Sequence, residues 1–575
     1  MCRIFRNILP AVVGLLLAPQ ISAKTAVINV RPVDGDATET LQKAVAKAEK
    51  LAAKSDVEIR LQPGAVYNIS REKATPILYY VSNTTSESEN PLPMKHVGIQ
   101  LKGLRGVTIN GQGARIVTHG EMTPWVVDGC QNVVIRDLTI DAADPSVPEM
   151  TVEKVDSLSF TARVHGRSDY RLVSGRLYWK GEGWEFTDGI AQIYLPDKLV
   201  TKRCPSPVAD AIFVEEVEPG LLRFNFASMP DVLPGNVYQM RHSLRTEVAG
   251  LITESRNVTL TDLNLNFMGN FGIVAQASEN LTYHKLVCAP DSTSGRTNAG
   301  FADFLQVSGC RGMVSITDCI FAGSHDDPIN VHGTHLRVSN WGDGRKITLE
   351  YMHHQTYGFQ SFFKGDTIDF VDPVSLQTIW SAQVKVAGIN NPRHIDVILD
   401  REVLQKVKDY PEVVVENVTW TPSVRITGCK FSLSPTRGIL VTTRRPVEIA
   451  DNEFHRMQMP AIYVSDDASN WYESGPVHNL WIHDNRFVEC TTPVISVIPE
   501  VKNCSGVVHK NVTITNNEFR FENRPFRPII RIEATDSIRI DSNTVVSPVY
   551  LPLDVVLGGC RNAVLNLCNH ADRFN

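Results

Sequence analysis

Short runs of alternating apolar and polar residues recur along this chain every 23–35 residues, with no helical spacing between them. The clearest copies are RRPVEIADNEF (444–454), HNLWIHDNRF (478–487), KNVTITNNEF (510–519) and DSIRIDSNTV (536–545). Looser copies are SRNVTLTDLNL (255–265), CRGMVSITDCIF (310–321) and PSVRITGCKF (422–431). Each is a polar turn residue, a short Val/Ile strand and an ending close to DN-x-F. Aligned, Cys319, Cys429, Asn452, Asn485, Asn517 and Asn543 share one column. Asn recurring at one point of every coil predicts an internal ladder that bonds the backbone of the next turn. A second short strand accompanies each copy, as in GIVAQ (272–276), DFLQVS (303–308), DPINVH (327–332) and PAIYVS (460–465). Two or three short strands per period, without an i, i+3, i+4 apolar stripe, predict an all-β fold: a right-handed parallel β-helix solenoid.

The ends and interruptions of the pattern predict the domains. Residues 1–23 read as a secretory signal: Arg3 and Arg6, an apolar stretch from Ile8 to Ala18 too short to span a bilayer, then Ile21-Ser22-Ala23 as a cleavage site. Residues 24–145 hold an N-terminal cap and the first coils. There Thr38 to Ala53 forms an amphipathic helix with Leu41, Val45, Ala48 and Leu51 on one face, and VEIRLQPGAVYNI (57–69) is the first coil. Residues 146–246 and 336–420 lack the repeat and alternate in the manner of hairpins, with Gly342-Asp343-Gly344 as one turn. Each is expected to be a small antiparallel β-domain inserted into the solenoid and walling its binding face. Coils occupy 247–335 and 421–575. No segment after the signal reaches the length of a membrane span, so the chain is expected to be exported to the periplasm or secreted.

Net charge narrows the partners. At −6 over 575 residues there is no electrostatic case for nucleic acid or anionic membrane. A neutral carbohydrate is easier to accommodate. Eleven cysteines lack zinc-type CxxC pairs and several recur in the repeat column, which predicts buried core thiols with room for one or two disulfides.

The candidate chemistry lies at Ser324-His325-Asp326-Asp327-Pro328-Ile329-Asn330-Val331-His332. Setting this strand on the one 24 residues earlier places Leu305 on Ile329, Val307 on Val331 and Asp303 on Asp327. Rungs about 4.8 Å apart make Asp303 and Asp327 neighbours, with Asp326 beside them. Three crowded carboxylates repel, so one holds its proton while others stay ionised, the pairing that glycoside hydrolysis requires. Capping of turns or cation binding is the ordinary alternative. Strict alternation sends Asp303 and Asp327 inward, so a bend at the leading edge of the strand is expected to turn them out. Arg437 shares their column one coil on. Asn330, His332 and Tyr463 fall on the same outward face, His325 lies beside the pair, and all five are candidate substrate contacts. The loop from Asp466 to Glu473 leaves that face with aromatics among carboxylates.

At Asp303 and His325-Asp326-Asp327-Pro328 the chain resembles glycoside hydrolase family 110, bacterial exo-acting α-1,3-galactosidases that attack blood group B and related α-galactosyl ends. The resemblance covers most of the chain after the signal, and implies catalysis by Asp303, Asp326 and Asp327 with inversion and without a metal or other cofactor. Which aspartate is acid and which base stays open. Polygalacturonases also carry an Asp pair near a His on a β-helix, but their Asn-Thr-Asp strand and Arg-Ile-Lys triplet are missing here. The competing expectations are a polygalacturonase-like hydrolase, a β-helix polysaccharide lyase using a Lys or Arg base with calcium, and a non-catalytic carbohydrate-binding solenoid.

Overall fold

The computed structural model describes residues 25–501, 506–525, 528–567 and 570–571; the expected signal, residues 1–23, lies outside them. Short strands stack rung on rung into two long parallel sheets. One carries the repeat phrase, with Val447↔Leu480, Leu480↔Val512 and Val512↔Ile538 in register. The other carries the second strands, with Ile273↔Leu305, Leu305↔Ile329 and Ile329↔Ile439 in register.

The repeat phrase has a structural meaning residue by residue. Its D/N position is a corner where the backbone turns left-handed: φ is 55° at Asp451, 54° at Asp484 and 56° at Asn516. Asn and Asp tolerate this region better than other non-glycine residues. The next residue points inward and forms the ladder. The side chain of Asn452 donates to Asn485 at 3.0 Å, that of Asn485 to Asn517 at 3.0 Å, and that of Asn517 to Asn543 at 2.9 Å. Each Asn Nδ2 also donates to a carbonyl of the preceding coil, such as Ile449 at 2.8 Å. Cys429 and Cys319 continue the column. The phenylalanine that ends the phrase stacks through the core: Phe321, Phe431, Phe454, Phe487 and Phe519 lie 4.6–5.2 Å apart, centroid to centroid. Among the described residues eight cysteines carry free thiols, six of them buried.

The helix Thr38–Ala52 covers the first rung and buries Leu41, Ala44, Val45 and Ala48. The solenoid begins one strand earlier than the repeat suggests. Ala26–Val30 pairs in parallel with Val57–Leu61, and the helix between them hides that pairing from a search for short spacings. The stretch Glu149–Arg241 folds as a seven-stranded antiparallel sheet with a three-stranded companion over Asp169–Phe186. Leu336–Asn417 closes into a six-stranded barrel around Leu349, Phe362 and Phe370. Among the described residues no helix is long and apolar enough to cross a membrane.

Candidate active site

A cavity opens on the outer side of the second sheet, lined by coil residues, by Asn83 and Arg245, and by the loop that carries Asp467, Trp471 and Glu473. Asp303, Asp326 and Asp327 form part of its wall. The local fold explains how charged residues escape the coil interior. Phe304 and Leu305 are consecutive, yet both are fully buried in the solenoid core. Alternation therefore fails at that step: the strand begins only at Leu305, and Asp303 sits on the bend before it. Asp327 holds the same place before Ile329 on the next rung, and its carbonyl accepts the N–H of Phe304 at 3.3 Å.

Burial and mutual repulsion act on two of the three carboxyls, Asp303 and Asp327. Burial, then the charges of Asp326 and Asp327, push Asp303 well above the usual carboxylate range. Burial also raises Asp327, but Arg437 pulls it back. Arg437 Nη2 lies 2.7 Å from Asp327 Oδ2, and its Nε and backbone N–H donate to Asp327 Oδ1 at 3.0 and 3.1 Å. Asp326 faces two further guanidinium groups, Arg203 at 3.2 Å and Arg245 at 3.5 Å. Proton affinity is thus higher at Asp303 than at Asp327, and both members of the adjacent pair face guanidinium groups.

Of the expected substrate contacts, Asn330, Arg437 and Tyr463 line the cavity. Asn330 donates to Glu473 at 3.1 Å, Tyr463 donates to Glu500 at 3.2 Å, and the Arg437 guanidinium lies 5.7 Å from the Tyr463 ring centroid. The two histidines do not line it. His325 is buried against the first insertion: its Nε2 lies 2.9 Å from Gln239 Oε1, and its carbonyl accepts from Gln192 at 2.8 Å. Burial and then Arg241 push His325 well below the usual imidazole range, so it stays neutral. His332 points outward from its coil as the alternation requires, but other chain segments cover it. Its Nε2 lies 3.1 Å from Gln306 Nε2, which also donates to Ser82, and 3.6 Å from Glu473. His332 therefore stands behind the cavity wall.

Sequence reasoning did not find Arg203, Arg245 or Asn83. The two arginines belong to the non-repeating stretch 146–246, where no column aligns them with the aspartates. Asn83 sits in an irregular loop, held by Thr356 of the barrel at 2.8 Å. Asp467, Trp471 and Glu473 do line the cavity, as the composition of their loop hinted. The arrangement offers one carboxyl, Asp303, raised well above the usual range, two more carboxyl groups beside it that face guanidinium groups, and a polar pocket in front of all three.

Two family models match the chain, "GLAA-B beta-barrel domain II" over residues 346–409 and "Right handed beta helix region" over 412–564. Among curated proteins, "Alpha-1,3-galactosidase A" of Bacteroides thetaiotaomicron is 42% identical over 527 residues, 92% of this chain and 92% of that one. The protein of the same name from Streptomyces avermitilis is 35% identical, covering 90% of this chain and 88% of that one. "Alpha-1,3-galactosidase B" of Parabacteroides distasonis is 26% identical, covering 90% and 87%.

Proposed function

On the premise that the chain belongs to the α-1,3-galactosidases of glycoside hydrolase family 110, we propose that it removes terminal α-1,3-linked galactose from blood group B-type or related glycans, acting from the end of the chain and inverting the anomeric centre. The observation that carries the mechanism is the cluster of three carboxyls, with Asp303 raised well above the usual range. Asp303, held protonated by burial and by its two neighbours, is the general acid that protonates the departing glycosidic oxygen. The base that draws a proton from water comes from the Asp326–Asp327 pair, which Arg203, Arg245 and Arg437 face. The side chain of Asp326 is 17% exposed against 2% for Asp327, which favours Asp326 for the water. The anomeric carbon accepts the water oxygen as the bond to the leaving oxygen breaks. The acid's proton goes to the leaving group and the water's proton to the base.

Proton NMR of early turnover on an α-1,3-galactosyl disaccharide tests this reading. β-Galactose is expected first. α-Galactose appearing before mutarotation would show a retaining site and sink the assignment. The leader-like residues 1–23 further support placement in the periplasm or outside the cell, where the mature chain is expected to begin at Lys24. N-terminal sequencing of protein recovered from a bacterial host checks the cleavage point.

A further inference from the structure

The cavity has two depths. Asp303 and Asp327 at its base are 5% and 2% exposed, whereas Trp471 on its wall is 44% exposed. Exposure alone says little, since Trp481 is 52% exposed and is not among the cavity-lining residues. Trp471 differs in how it is held. Its ring stacks on His353 at 4.3 Å and 29° between planes, and His353, from the barrel insertion, is itself buried. Burial, then His354 and nearby arginines, lower His353 to about 4, so the ring behind the indole is neutral. The backbone is fixed as well. The Asp467 carboxylate accepts the N–H groups of Ser469, Asn470, Trp471 and Tyr472, at 2.5–3.2 Å. One face of the indole is backed by His353, and a large part of the side chain stays open to solvent beside the carboxyls.

We propose that Trp471, with His353 stacked behind it, is the platform of the subsite for the sugar from which galactose is cleaved. The proposal rests on the galactosidase reading of the cavity. An exo-acting site must hold its terminal sugar at the carboxyls, which places the remainder of the glycan toward the mouth. A pyranose ring has a face made of C–H bonds, and a rigid, open aromatic surface binds such a face with little ordering cost. Binding energy gained there on a non-reacting sugar assists the step at the neighbouring bond.

The test compares kcat/KM on an α-1,3-galactosyl-galactose disaccharide and on α-galactosyl fluoride, whose leaving group is no sugar. For Trp471→Ala the loss on the disaccharide is expected to exceed the loss on the fluoride by about tenfold. Trp471→Phe should recover most of the difference, and it keeps the test open should the alanine variant fold poorly. His353→Ala should show the same preference in weaker form. Equal losses on both substrates would overturn the proposal, because Trp471 would then serve the galactose itself or the fold. The absence of any loss on either would overturn it too. A wild-type enzyme that cleaves neither substrate would instead defeat the galactosidase reading beneath it.

Discussion

Asp303 combines catalysis with a cost to stability, and both are measurable. A carboxyl whose folded-state pKa is raised binds more protons folded than unfolded, so stability falls as pH rises from the unfolded value toward the folded one. Asp303→Asn is therefore expected to raise the melting temperature at neutral pH, with the gain shrinking toward pH 4, while kcat falls by about 10²–10⁴-fold and the alkaline limb of the pH–rate profile disappears. A variant that melts lower at every pH would contradict the burial argument. Arg437 is the converse case. Arg437→Met removes the guanidinium that lowers Asp327, so Asp327 should ionise only at higher pH. Breaking this buried pair should also cost on the order of 3 kcal/mol in urea unfolding. The column alignment placed Asp303, Asp327 and Arg437 together because one strand register links all three. His325 and His332 stand outside the cavity wall because neither adjacency in sequence nor alternation shows what packs over a residue.

Among the elements, the coil is held by features that its sequence repeats openly. The left-handed corner, the Asn that follows it and the stacked Phe are three consecutive demands of one turn, which is why DN-x-F recurs as a unit. Asn485→Ala leaves the Asn452 N–H without its acceptor and the Ile449 carbonyl without its donor inside the solenoid. Each such group costs about 1–3 kcal/mol. Thermal unfolding should shift down accordingly, with kcat unaffected well below the transition, since Asn485 lies away from the cavity. Loss of activity in step with stability at 25 °C would contradict that separation. The insertions were legible only as gaps in the repeat with hairpin-like alternation. Their closing geometry depends on pairings distant in sequence, such as Leu336↔Val415, which leave no local periodic trace.

On the scale of the whole molecule, the two ends of the solenoid are unequal. The first rung lies under the helix Thr38–Ala52, while every residue of the strand Arg561–Leu565 is exposed, with Val564 at 66%. Opening of so exposed a strand gives up little buried contact. Native-state hydrogen exchange is therefore expected to be much faster over 555–565 than over 57–61; equal protection at both ends would refute this. The cavity obeys a different logic, because its wall draws on residues from Asn83 to Glu500. A ribosome delivers these in order: Asn83, then Arg203 and Arg245, then the aspartates, and only after a further barrel Arg437, Trp471 and Glu473. Coils can stack as they emerge, but no nascent fragment shorter than about 500 residues contains the complete set of groups that charge and shape the pocket. The pocket is thus completed late in synthesis, and a chain interrupted before residue 500 lacks part of its wall.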